Sequence, residues 1–391
     1  LRAVALNRSG REREALPLLR ASIGAPTIAS GTLNGSRVAR CAELARCYRA
    51  LGGLDSALVW YRAATDDWER GRATASREDS RAMSDNIAGA FSGGYVATIL
   101  DPARGGTAPR RVAEAFAVLQ RFRAHTLTEQ MFGTGSVRPP GAPRALDLAS
   151  LQRGTLAPGD VLLEIHATPD TTILFAITRA EARVWFGPRE EVLRSRLARF
   201  RDLLADPGGD PTGRWGAVAR ALGEDLLGPA ADALTGALRV YISAGALARY
   251  PLGSIIAPGT DDALAVNRDV AFVPAAGMVE LARLRAREPA TATRAMVALA
   301  RTTAEGGRAL PAAAGEVREL SRRFADVEAL PDPALGATRL AREQLAGGQV
   351  LHFATHTYID EQQPWRSGLL VGDPAGPDAY LRAATIAGLR V

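Results

Sequence analysis

The chain of 391 residues contains no lysine: all 48 of its basic residues are arginine. That absence excludes the lysine of a phosphate-binding P-loop, a Schiff-base lysine and a pyridoxal phosphate site. Most ATPase, kinase and aldolase readings go with them. Cysteine is nearly absent too, with only Cys41 and Cys47. Six residues along a helix turn through about 240° and rise about 9 Å, too divergent for a disulfide or a shared metal. Both read as small buried hydrophobes in a reducing, cytoplasmic compartment. No uncharged apolar run reaches the roughly 18 residues of a membrane span, and the stretch Asn86–Leu100 is shorter and rich in glycine. There is no signal peptide, and Leu1 is not an initiator Met, so the expectation is an N-terminus cut short.

Acidic charge is scarce in one place only. Residues 1–50 carry nine Arg against Glu12, Glu14 and Glu43, which accounts for the whole net charge of +6. The same segment has Tyr48 as its one aromatic residue, so the aromatic interleaving of a nucleic-acid surface is missing. A basic module meeting an acidic protein partner is expected, and nucleic acid is not. What is present in quantity is apolar material, 47% of the chain, with a mean hydropathy of -0.04. That suffices for ordinary globular cores, in two or three domains of ~100–200 residues.

The first part repeats weakly. Gly10, Ala15, Leu16, Arg20 and Ala21 recur 42 positions later as Gly52, Ala57, Leu58, Arg62 and Ala63. With Leu44, Ala45, Tyr48, Tyr61 and Ala64, these place small residues where two helices approach, a pattern similar to tetratricopeptide (TPR) helix pairs. The offset exceeds that family's usual spacing because Ser22–Ser36 inserts a loop; a generic helical hairpin is the alternative. Residues 83–132 continue in helical pattern, with Val112, Phe116, Leu119, Phe122 and Leu127 on one stripe. Gly133–Pro143 then reads as a linker, and its Gly-Thr-Gly-Ser start precedes prolines rather than the helix of a phosphate loop.

From Leu146 the texture becomes that of an α/β layered fold with a mainly parallel sheet. A three-strand meander is expected over Val161–His166, Thr172–Ile177 and Ala182–Trp185, then helices over 189–204 and 212–227. Strands at Leu238–Ile242, Val270–Val273, Met296–Ala300 and Val350–Ala354 alternate with helices at 276–286, 312–325 and 337–345. The resulting division is 1–72 helical repeats, 73–143 helical connector and linker, and 144–391 the α/β domain.

The run Gly347–His356 carries the chemistry. His352 and His356 lie four apart, about 13 Å on a strand, too far to share a metal. The zincin pattern also fails, because Phe353 stands where it needs Glu. No metal and no cofactor is expected. Reactive groups of parallel sheets gather just beyond the strands' carboxyl ends. His356 is there, a candidate general base; His352 lies inside the strand and reads as a packed structural residue.

Leu351-His-Phe-Ala-Thr-His356 resembles the histidine motif of CHAT-domain peptidases, caspase-like cysteine proteases often fused behind TPR repeats. Gly159-Asp-Val-Leu-Leu-Glu164 with Thr172–Thr178 resembles that domain's opening hairpin. Leu238–Ile256, Ala309-Leu-Pro311 with Ala314 and Glu316, Ala337-Thr-Arg, and Pro364-Trp-Arg-Ser-Gly-Leu-Leu370 follow in the family's order, over roughly residues 145–391. The resemblance implies a caspase-like cysteine endopeptidase acting on protein substrates. His356 would be the base, the Thr357 N–H part of the oxyanion hole, and a protein partner would be recruited through the TPR-like helices.

The sequence departs from that family in two ways. Thr357 replaces the usual Gly; it keeps the N–H but resists a positive φ. No Cys follows Cys47, and the strand bearing the nucleophile is expected after a hairpin and the short helix Ala383–Ala387. The expectation is therefore a chain cut before its Cys, which would lie roughly ten to twenty residues past Val391. Ser367 is a hydroxyl with no motif around it. Asp360 and Glu361 would sit on the S1 side and favour a basic P1 residue, or belong to a solvated loop. Two other readings stand beside this one: an inactive pseudo-protease scaffold, and a helical-repeat binding protein with an unrelated α/β domain.

Overall fold

The computed structural model describes residues 2–24, 37–74, 78–123, 146–205, 213–285, 294–302, 309–332, 336–343, 345, 348–360, 366–373 and 375–387. The linker at 133–143, most of the Ser22–Ser36 loop, Leu127 and Glu361 lie outside the described residues. The chain forms two compact units, one of residues 1–125 with 140–285, the other of 126–139 with 286–391.

The first unit begins with α1 (Arg2–Arg8), α2 (Glu12–Ile23), α3 (Arg37–Ala50), α4 (Leu54–Thr74), α5 (Glu78–Ile99) and α6 (Pro109–Phe122). Each packs on its neighbour in sequence. Gly10 and Gly52, the glycines that recur in the sequence, close the turns of α1–α2 and α3–α4 with φ of +78° and +80°. Only glycine takes that left-handed conformation without a Cβ penalty. The small residues Ala15, Ala45, Ala57 and Ala64 are fully buried where helices meet. Cys41 and Cys47 are buried and unbridged, as expected of small hydrophobes.

The same unit holds β1 (Asp160–Ala167), β2 (Thr172–Ile177), β3 (Ala182–Gly187), β4 (Arg239–Ser243) and β5 (Asp269–Phe272), in the order β3-β2-β1-β4-β5. The meander β1–β2–β3 is antiparallel, whereas β1, β4 and β5 run parallel, so this sheet is mixed rather than mainly parallel. β2 is apolar from Ile173 to Ile177, and β1 is apolar apart from Asp160, Glu164 and His166, because both faces are covered. Leu162, Phe175 and Ile177 pack with residues of α4–α6. Val161, Leu163 and Leu174 pack against α7 (Glu190–Ala205) and α8 (Arg214–Leu227). The helix α9 (Ala276–Arg285) completes the unit.

In the second unit β6 (Arg294–Ala300) is flanked by β7 (Val327–Pro331) and β8 (Gly348–Ala354), all parallel, in the order β7-β6-β8. Its helices α10 (Ala313–Arg323) and α11 (Ala337–Glu343) cover opposite faces. Ala298, Ala300 and Ala354 meet Ala313 and Val317 on one side; Val297, Leu299, Leu351 and Phe353 meet Ala337 and Leu340 on the other. A small antiparallel sheet follows, of β9 (Thr357–Tyr358), β10 (Gly368–Leu370) and β11 (Tyr380–Arg382), then α12 (Ala383–Ala387), the hairpin and short helix anticipated above.

Candidate active site

The carboxyl ends of β6, β7 and β8 are stitched together by backbone and carboxylate bonds. Past β7, Asp332 donates its N–H to the Ala300 carbonyl at 2.9 Å. Its carboxylate accepts from the Thr302 N–H at 2.7 Å and the Thr302 hydroxyl at 2.6 Å. Past β6, the Arg301 N–H donates to the last carbonyl of β8, Ala354, at 3.1 Å. Two residues beyond Ala354 comes His356, half-buried, with its carbonyl accepting from the Leu370 N–H at 2.9 Å. The Thr355 hydroxyl donates to the Leu370 carbonyl. The base candidate therefore leaves the sheet on a backbone clamped by β10.

Thr357 opens β9, an edge strand of its sheet among the described residues. It faces Leu369, and the Leu370-to-His356 bond makes this a non-hydrogen-bonded pair. In such a pair both main-chain polar groups turn away from the partner strand, so the Thr357 N–H points away from β10. Thr357 is extended; among described non-glycine residues only Asp326 and Asp332 have positive φ. The position thus accepts threonine without strain. Asp360 is half-buried and its N–H donates to the Ser367 hydroxyl oxygen at 3.0 Å. Ser367 in turn accepts the Ala383 N–H at its carbonyl, 2.8 Å, which gives it a place in holding the hairpin.

His352 differs from its reading as a packed core residue. It lies on the α10 face of β8, its side chain is 32% exposed, and its Nε2 is 2.9 Å from Glu316 Oε1. Strand alternation puts it on the same face as Ala354, and the first turn of α10 supplies the acid. In the sequence Glu316 stands out only as part of the Ala309–Glu316 motif; an acid opening a helix ahead of a histidine-bearing strand is the available signal. The structure separates the two histidines by role: one engaged by a carboxylate, one carried beyond the sheet.

Neither cysteine is an activated thiol. Burial pushes both thiols up from the ordinary value, against the pull of nearby arginines. Cys47 also lends its S–H to the Glu12 carbonyl at 3.3 Å. A raised thiol carries less thiolate, the nucleophilic form. Among the described residues no group of three or more His, Cys, Asp or Glu side chains is placed to hold a metal. No described helix is long and apolar enough to cross a membrane.

Residues 216–391 match the family model of the CHAT domain, which is associated with caspase-like peptidases. The match opens inside α8 and takes in β4, β5 and the whole β6–β11 region. The β1–β2 hairpin, counted above as part of the resemblance, falls outside it. No curated protein matches the chain.

Proposed function

We propose that the CHAT region is a caspase-like cysteine endopeptidase domain that acts on protein substrates, targeted by a protein partner held on the TPR-like helices of residues 1–72. The observation that carries this reading is the position of His356, just past the carboxyl end of a parallel strand inside the matched region. His356 takes the proton of a thiol, the thiolate attacks the scissile carbonyl, and the imidazolium returns the proton to the leaving amine. The outward Thr357 N–H is available to the tetrahedral oxyanion. Asp360 is read as the S1-side acid that favours a basic P1 residue; Glu361, its partner in that reading, lies outside the described residues. The thiol itself is not Cys41 or Cys47 and is not supplied by residues 48–391.

That last fact favours a second reading, a pseudo-protease scaffold that binds without cleaving. Labelling of the full-length protein by a peptidyl acyloxymethyl ketone separates the two. The peptidase reading expects covalent labelling that falls ~100-fold or more in His356→Ala. Labelling confined to Cys41 or Cys47, or indifferent to His356, overturns it. Residues 1–391 alone should cleave no peptide library. Cleavage by residues 1–391 that is lost in His356→Ala would overturn the thiol mechanism.

A further inference from the structure

Past His356 the small sheet β9–β10–β11 has two unlike faces. Leu369 and Leu381 pack with Val297, Leu299 and Val371 on one of them, and alternation puts their strand neighbours on the other. That second face carries Tyr358, Gly368, Tyr380 and Arg382, with Leu370 buried beside Tyr380. Tyr358, Gly368 and Arg382 form one row across the three strands. Gly368 offers no side chain in the middle of that row, and a Cβ there would come within 2.9 Å of the Leu381 carbonyl oxygen. Arg382 reaches across the gap. Its guanidinium carbon lies 5.9 Å from the centre of the Tyr358 ring and 5.0 Å from that of Tyr380.

The guanidinium is held in place without being neutralised. Both rings lie within cation–π range of it, and its Nη1 donates to the Arg366 carbonyl at 2.6 Å. Among the described residues neither Arg382 nor Arg366 has a carboxylate partner, and both are exposed. A planar guanidinium fixed by stacking, with donors to spare, is suited to bidentate pairing with a carboxylate. The neighbouring strand is open as well, with Tyr358 46% and Ile359 66% exposed. The chemistry of the base sets which side of the scissile bond this face serves. A histidine that returns a proton to the leaving amine stands on the leaving side, and β9 runs on from His356. Two residues of strand span about 6–7 Å, which puts Tyr358 within two or three substrate residues of the base.

We infer that the Tyr358–Tyr380–Arg382 face is a leaving-side subsite that selects Asp or Glu at the second or third residue after the scissile bond. The acid's carboxylate pairs with Arg382, and its methylene stem lies on the Tyr358 ring. The inference rests on the peptidase reading of His356 and adds a specificity-determining residue to it. It is separate from the S1 side, where Asp360 is read as selecting a basic residue before the bond.

Fluorescence anisotropy on residues 1–391 tests it without any need for turnover. The probe is the leaving-side peptide Gly-Glu-Glu-Gly-Gly, with a free amino terminus and fluorescein at its carboxyl end; thermal melts check that each variant folds. The expected result is saturable binding that weakens about tenfold or more when Gln replaces both Glu residues, and by a similar factor in Arg382→Gln. Tyr358→Ser, which keeps the charge and removes the ring, should weaken it by a smaller factor. Equal binding of the Glu and Gln peptides, or equal binding by wild type and Arg382→Gln, overturns the subsite. Displacement by inorganic phosphate at the peptide's own concentration range reduces the face to a site for simple anions and overturns it too. The ketone labelling described above reports on the peptidase reading separately, because that probe leaves no residue on the leaving side. His356-dependent labelling without Glu-dependent binding overturns the subsite alone. Glu-dependent binding without such labelling overturns the peptidase reading, and with it the place of this face in a reaction.

Discussion

Parallel strands end in polar residues at two places in this molecule, and the two ends are finished in opposite ways. Near the end of β1, Glu164 is fully buried opposite Ser243, the last residue of β4. Arg123 Nε lies 2.8 Å from its carboxylate, Gln120 Nε2 donates at 3.1 Å and the Ser243 hydroxyl at 3.0 Å. Arg123 also donates to the Ile165 carbonyl at 2.6 Å. Beyond β8, by contrast, His356 is half-buried and Thr357 is exposed. The same kind of position thus yields a sealed polar network in one unit and an accessible one in the other. A polar residue at a strand end is structural when its neighbours consume its hydrogen-bonding capacity, and it can serve chemistry when they leave it in reach of a substrate.

The sharpest way to break this comparison is Glu164→Ala, which leaves the Arg123 guanidinium buried without its carboxylate. It should destabilise the first unit by ~3–5 kcal/mol, measured by urea unfolding. A loss below about 1 kcal/mol would mean that Arg123 finds water instead, and that the network is not sealed. Burial pushes the Glu164 carboxyl up, opposed by Arg123 and the bonds from Gln120 and Ser243. Its share of stability therefore falls as pH rises above the ordinary glutamate range, and Glu164→Gln should flatten that slope.

His166, at the same strand end, sharpens the comparison through pH. Burial, aided by the charge of Arg123, pushes its pKa down to about 3, and its Nε2 is 3.3 Å from the Ser92 hydroxyl. An unfolded histidine takes its proton near pH ~6.5, so the unfolded state binds the proton first. Stability should fall as pH drops from there towards 3, and His166→Gln should remove that part of the decline. A melting profile unchanged by the substitution would show His166 to be solvated.

In the second unit the effects should be smaller. His352→Ala removes a half-exposed contact with Glu316 and should cost only ~0.5–1 kcal/mol, seen as a slight shift in the unfolding midpoint. His356→Ala should lie within ~0.5 kcal/mol of wild type. A larger destabilisation by His356→Ala than by His352→Ala would reverse the assignment of the two roles.

Much of the architecture was readable before any fold was known. The period-two and period-3.6 patterns located β1–β3, β4, β6, β8 and the helices between them to within about two residues. The recurrence of Gly10 as Gly52 marked two turns that do need a positive φ. The sequence also placed His356 past a strand because the glycine pair at 347–348 opens an apolar run that ends in polar residues. What it could not show was the mixed direction of the first sheet, since antiparallel β2 and parallel β4 are equally apolar when both faces are covered. It could not pair His352 with Glu316, 36 positions away, or Glu164 with Arg123 and Ser243. Nor could it show that Thr357 is extended, because the register with Leu369 sets that backbone.

By itself, then, the sequence determined the elements, the excess of arginine in residues 1–50, and the absence of both lysine and any thiol after Cys47. These are properties of composition and local period, and short-range sterics and burial decide them. Only the tertiary structure decided which polar groups are fully enclosed and which stay partly exposed. Glu164 and His356 are ionisable residues near strand ends, and nothing in their immediate neighbours along the chain separates the fully buried carboxyl from the half-buried imidazole. The difference comes from packing: α6 and β4 close over one, while a turn into β9 carries the other beyond its sheet. Desolvation and hydrogen-bond satisfaction are set by neighbours in space, not in sequence.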